Sequence, residues 1–82
     1  MQKNIVLYSS EFCPYCERVE LFLKENKIDV EKIYLESAVH IRDDLISIGG
    51  MAQVPCLVIE GQALYESEDI VQWFADQYNI ED

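Results

Sequence analysis

The chain has 82 residues, half of them hydrophobic and 27% charged, enough for one small core but not two, and a composition that argues against disorder. Six basic side chains against sixteen acidic ones give a formal charge of −10, which disfavours nucleic acid as a partner. No apolar run approaches the ~18 residues of a membrane span, and Met1-Gln2-Lys3-Asn4 opens no secretory segment, so a single cytoplasmic domain over 1–82 with no membrane partner is expected.

From Asn4 to Tyr8 a short β-branched and aromatic run fits a buried central strand, and Ser9-Ser10-Glu11-Phe12 reads as a loop feeding a helix. From Pro14 to about Lys24, Val19, Phe22 and Leu23 recur at helical spacing, leaving Glu17, Arg18, Glu20 and Lys24 for the solvent side. Residues Ile28 to Leu35 alternate apolar and charged, the period of a half-buried strand. Strand, helix and strand make a βαβ unit, whose two strands run parallel. A second helix is expected from about Val39 to Ile48, with Ile41, Leu45 and Ile48 on its inner side and Gly49-Gly50 ending it. The runs Cys56–Ile59 and Gln62–Tyr65, joined by Glu60-Gly61, form an antiparallel hairpin, so the sheet is mixed. Ser67 suits the N-cap of a last helix, with Glu68 and Asp69 complementing its positive end and Ile70, Val71, Phe74 and Tyr78 facing inward. The order β-α-β-α-β-β-α predicts an α/β fold with a four-stranded mixed sheet.

The chemistry concentrates at Cys13-Pro14-Tyr15-Cys16, between the first strand and the first helix. Two cysteines so spaced beside a βαβ pattern read as a thiol-disulfide exchange site. A cysteine at a helix start meets unpaired N–H groups and the positive end of the dipole, which stabilises its thiolate, so Cys13 is the nucleophile candidate. Pro14 fits the first helical turn, where no donor is needed. Cys16 lies on the same face one turn deeper, within reach of Cys13. Three cysteines supply neither a disulfide scaffold nor the four thiolates of a structural zinc site, and no metal is expected. Cys56 reads as a buried inert thiol, and His40 has no partner at ligand spacing.

On Cys13-Pro14-Tyr15-Cys16, the Val54-Pro55 step and Gly50 ahead of it, the chain resembles the glutaredoxin branch of the thioredoxin-like superfamily over nearly its whole length. Its end, Tyr65-Glu66-Ser67-Glu68-Asp69-Ile70-Val71, is similar to the Glu-Ser signature of glutathione transferase N-terminal domains, here expected to stand alone. The resemblance implies a thioredoxin-like fold and a glutathione-dependent thiol-disulfide oxidoreductase, with Cys13 attacking and Cys16 resolving. It implies that a cis peptide before Pro55 turns the Val54 backbone toward the thiol, and that Ser67 and the Glu68 amide hold the γ-glutamyl carboxylate. Glu66 belongs to the same signature but also suits plain surface. Tyr15 suits stacking on the substrate or half-exposed packing, Arg42 a carboxylate fork or a solvated helix start, and Gln53 a polar contact near it. Where glutaredoxins commonly carry a Lys three residues before the first cysteine, this chain has Ser10. The implied partners are glutathione as co-substrate and glutathionylated or disulfide-containing proteins, with no tightly bound cofactor and a monomeric chain. Two other readings remain open: a glutathione-ligated [2Fe-2S] carrier, which the available Cys16 opposes, and a non-catalytic module of transferase type, which the intact cysteine pair opposes.

Overall fold

A computed structural model describes residues 4–80; Met1-Gln2-Lys3 and the last two residues lie outside them. The elements run β1 (Ile5–Ser9), α1 (Pro14–Glu25), β2 (Glu31–Tyr34), a single 3-10 turn (Leu35–Ser37), α2 (Ile41–Gly49), β3 (Cys56–Ile59), β4 (Gln62–Tyr65) and α3 (Ser67–Tyr78). The sheet order is β2-β1-β3-β4, with β1 parallel to β2 and antiparallel to β3, and β3 antiparallel to β4. This is the thioredoxin-like fold with the expected mixed sheet. The β3–β4 turn works because Glu60 and Gly61 both take positive φ, 51° and 82°, which matches the right-handed strand twist.

Alternation along the strands divides the core in two. Leu7 and Leu57 point to one face of the sheet and meet Val19, Phe22 and Leu23 of α1 and Ile70, Val71 and Phe74 of α3. Tyr8, Cys56 and Val58 point to the other and meet Ile41 and Leu45 of α2. Each fully buried Leu, Ile or Phe contributes about 1.5–3 kcal/mol, so the larger α1/α3 layer carries most of the stability. None of the described helices is long and apolar enough to cross a membrane.

Several boundaries and faces differ from the sequence pattern. Strand β1 extends to Ser9, which is fully buried rather than in a loop. Strand β2 begins only at Glu31, because Lys27 takes positive φ and the Ile28 N–H turns back to the Leu23 carbonyl to close α1. Ile28 is spent on capping rather than pairing. Val39 lies before α2 and stands in solvent, and Ile48 and Tyr78, at the C-terminal ends of their helices, are partly exposed although each continues its apolar stripe. Glu20 turns inward instead of outward.

Gly49 belongs to α2 and Gly50, at φ 88°, caps it. A Cβ on Gly49 would fall on the Tyr65 hydroxyl and within 2.6 Å of the Ala63 Cβ. That hydroxyl donates to the Met51 carbonyl at 2.9 Å, tying β4 to the segment after α2. Gly49→Ala gains about 1 kcal/mol of helix propensity but loses this bond and overpacks the contact, costing about 1–3 kcal/mol or more. A net loss is expected, seen as a lower urea midpoint; an equal or higher midpoint would show that the α2–β4 contact yields freely.

Candidate active site

The site is assembled at the N-terminus of α1. Cys13 is its N-cap, with extended dihedrals (φ −116°, ψ 114°), and its carbonyl accepts the first helical bond from Glu17 N–H at 3.1 Å. Pro14 occupies the first helical position, where its missing donor has no consequence. The half-buried Cys13 Sγ accepts from Cys16 N–H at 3.4 Å and donates to the Val54 carbonyl at 3.8 Å. Cys13 therefore sits between a donor and an acceptor of backbone origin. Cys16 is fully buried beneath it, and burial, then its hydrogen bond with Cys13, pushes its thiol up to about 11. All three cysteines are free thiols, and burial likewise pushes Cys56 up.

Across from Cys13 lies the Val54-Pro55 bond, which is cis. It borders a groove of about 510 Å³ lined by Tyr15, Gln53, Val54, Pro55, Glu66, Ser67 and Glu68. Seven of the residues named from the sequence thus share one groove; Arg42, exposed at the start of α2, is not among them. Tyr15 stands largely in solvent above it. Gln53 Nε2 donates to Glu66 Oε1 at 3.2 Å, across the groove rather than toward Arg42.

Ser67 is not the N-cap of α3. Glu66 holds that position at φ 73° and ψ 121°, its carboxylate accepting from Gln53 instead of capping the helix. The chain leaving β4 turns sharply there, and the positive φ of Glu66 leaves Ser67 as the first helical residue, buried. The first-turn N–H groups of α3, from Ser67 onward, have no intrahelical acceptor, since the first helical bond runs from Ile70 N–H to the Glu66 carbonyl at 3.0 Å. They form an anion-favouring end beside the groove. Glu68 is held by a two-point contact with Arg18 of α1, Nε to Oε2 at 3.3 Å and Nη2 to Oε1 at 3.4 Å. With side-chain exposures of 42% and 70%, that pair contributes little stability and mainly fixes the groove rim.

The loop before Cys13 is held by Glu36. Its Oε2 accepts from Ser10 Oγ at 2.6 Å and its Oε1 from Glu11 N–H at 3.1 Å, while Phe12 N–H donates to Ser10 Oγ at 3.3 Å. Those bonds, the Ser10 bond foremost, hold the Glu36 carboxyl below the usual carboxylate range. Sequence reading passed over Glu36 because its partners are 25 and 26 residues away. It also missed Ser9, Glu20 and Tyr34, which meet below the thiols. The signal was present in Cys16 and Glu20 four residues apart on one helix, but Ser9 read as loop and the apolar period of the helix left Glu20 for the solvent side.

A dithiol at a helix N-terminus beside a groove with an anion-favouring rim suits thiol-disulfide exchange. Comparison with known proteins supports a glutathione-related thiol oxidoreductase family. The chain belongs to the family described as glutathione S-transferase, N-terminal domain, whose model matches residues 7–81. It is 34% identical over 74 residues to glutaredoxin-C8 of Oryza sativa subsp. japonica, covering 84% of this chain and 54% of that protein. It is 25% identical over 67 residues to glutaredoxin 3 of Escherichia coli, covering 82% of this chain and 81% of that protein. Among solved structures, glutathione transferase Omega 3C from Trametes versicolor superposes with a TM-score of 0.78 at 26% identity. That match covers 96% of this chain and 35% of the transferase, so the chain spans about a third of the transferase's length.

Proposed function

We propose that the protein is a glutathione-dependent thiol-disulfide oxidoreductase acting on protein-glutathione mixed disulfides and on protein disulfides. The observation that carries this reading is the seating of Cys13 Sγ between the Cys16 N–H and the Val54 carbonyl, beside the groove that ends at Ser67. Cys13 thiolate attacks the glutathione sulfur of a mixed disulfide; the protein thiol leaves, and a second glutathione releases the first as its disulfide. In this reading the Val54 backbone pairs with the cysteine of the tripeptide as an added strand would. The γ-glutamyl carboxylate lies on the α3 N-terminus, against the Ser67 hydroxyl and the Ser67 and Glu68 amides, and its ammonium meets the Glu66 carboxylate. Ser10, which donates to Glu36 of the 3-10 turn, stands where the resembling family commonly carries a cation, so the other end of glutathione is held less firmly.

The deciding experiment is turnover of a glutathionylated peptide, driven in parallel by glutathione with its reductase and by thioredoxin reductase. Turnover with glutathione is expected; turnover only with thioredoxin reductase would overturn the assignment. Removing a hydrogen bond to a charged group costs about 1.5–3 kcal/mol, so Ser67→Ala should raise KM for the glutathionylated peptide roughly 10- to 100-fold with kcat nearly unchanged. An unchanged KM would remove Ser67 from the binding groove.

A further inference from the structure

Cys13 also lines a second groove, of about 590 Å³, whose lining shares no residue with the groove at Val54 and Ser67. It runs between α1 and β2. Strand β2 is parallel to β1 with Tyr34 opposite Ser9, so Tyr34 lies at the thiol end and Lys32 two residues further back. Helix α1 runs back from the thiol as the crossover between those strands, which brings Lys24 to the same far end as Lys32. At about 1.5 Å per helical residue, Lys24 stands roughly 16 Å from Cys13 along the axis and roughly 10 Å beyond Glu17. About five extended residues of another chain cover that length.

Charge is sorted by sign along this groove. Glu11 from the loop and Glu17 from the first turn of α1 stand at the thiol end, where Glu36, bonded to Ser10 Oγ and the Glu11 N–H, adds a third carboxylate. Lys24 and Lys32 stand at the other end. Glu11, Glu17, Lys24 and Lys32 are all exposed, and none of them forms an ion pair with another described residue. Glu20, between the two ends, is engaged by Ser9 and Tyr34, and half-exposed Leu21 supplies apolar lining.

A surface that only keeps a chain soluble has no need to sort its charges, whereas unpaired charges of opposite sign at the two ends of one groove match a partner of the reverse order. We propose that this groove binds the segment of a protein disulfide substrate whose cysteine is bonded to Cys13, selecting a Lys or Arg beside that cysteine and an Asp or Glu about three residues further on. This rests on Cys13 as the nucleophile toward protein disulfides. Its thiolate bonds to one substrate sulfur, the substrate disulfide breaks, and the other substrate sulfur leaves as a thiolate, so no outside oxidant is needed. Glutathione and the protein segment then leave Cys13 by different grooves. The formal charge of −10 draws in any cationic partner, but the groove adds a requirement for the order of charges along the partner.

The test uses two peptides of identical composition and net charge, Glu-Ala-Ala-Lys-Cys-Lys-Ala-Ala-Glu and Lys-Ala-Ala-Glu-Cys-Glu-Ala-Ala-Lys, each with its cysteine disulfide-bonded to nitrothiobenzoate. Both read the same outward from the cysteine, so either chain direction presents the same order. In the Cys16→Ser variant, Cys13 attacks the peptide sulfur, releases the coloured aromatic thiolate and keeps the peptide. Each rate is divided by that of dithiothreitol with the same peptide, which removes the effect of the flanking charges on the disulfide itself. An exposed ion pair is worth about 1.5- to 5-fold, and at least two exchange attraction for repulsion between the peptides, so the lysine-flanked peptide should react roughly tenfold faster. That preference should fall below about twofold in 1 M salt, where the screening length is about 3 Å. Exchanging the charges by Glu17→Lys with Lys24→Glu should bring it to about one or invert it. Both peptides meet the same thiol within one protein, so any change in Cys13 reactivity cancels from the ratio. A preference under about threefold, or one that survives salt or the charge exchange, would overturn the groove assignment. No adduct on Cys13 with either peptide would overturn Cys13 as the nucleophile and this inference with it. Glutathione is absent throughout, so a failure of the turnover assay above and a failure here are told apart.

Discussion

Cys13→Ser is expected to abolish both deglutathionylation and disulfide reduction, a loss of about 10³-fold or more to the uncatalysed background. A serine hydroxyl stays protonated at neutral pH and cannot form the disulfide through which either reaction passes. The interpretation is clean because Cys13 is the N-cap of α1, a position that Ser fills well. The folded state should therefore lose no stability, which circular dichroism of its helices checks alongside the rate. Residual activity above about 1% of wild type would shift the nucleophile to Cys16. That residue is an unfavourable candidate, being fully buried and held protonated by its surroundings. The contrast between the thiols follows from one turn of helix. Cys13 meets the helix end and the groove, whereas Cys16, three residues on, meets the core.

That contrast was legible in the sequence, as were the βαβ unit and the hairpin, each written locally in a dithiol spacing, a period or a turn dipeptide. The residues around Val54 and Ser67 were named from the family resemblance and not from any local pattern. What escaped depended on tertiary placement. Period alone assigned Glu20 to solvent, because a carboxylate on a helix is usually exposed; Ser9 and Tyr34, brought together by parallel pairing, reversed that. Ser67 read as an N-cap because its residue type favours one, but the turn out of β4 moved the boundary by one residue. Ile48 and Tyr78 show the limit of apolar counting at helix ends. Each continues its stripe by one step beyond the point where the partner surface stops. Arg42 was chosen for its charge and helix-start position, which say nothing of the direction in which α2 presents it.

Cys16→Ser should separate the two reactions that Cys13→Ser removes together. Release of glutathione from a glutathionylated peptide needs only the Cys13 sulfur and a second glutathione, so its rate should stay within several-fold of wild type. Reduction of an intramolecular protein disulfide should instead fall roughly 100-fold or more. In the wild type the resolving sulfur is held one helical turn from Cys13, and well-oriented intramolecular groups reach effective concentrations of about 10⁵ M or more. Free glutathione at millimolar levels must replace it in the variant, so even a poorly aligned internal thiol wins by a wide margin. The blocked species is a covalent Cys13–substrate adduct, and mass spectrometry of the quenched reaction should show it accumulating. Ser in place of Cys16 keeps a small polar group beside Ser9, so the core under α1 should stay packed and the trapped adduct should be folded. Equal loss of both reactions would mean that Cys16 sustains the active-site geometry instead of resolving. Undiminished disulfide reduction would mean that an external thiol resolves in the wild type as well.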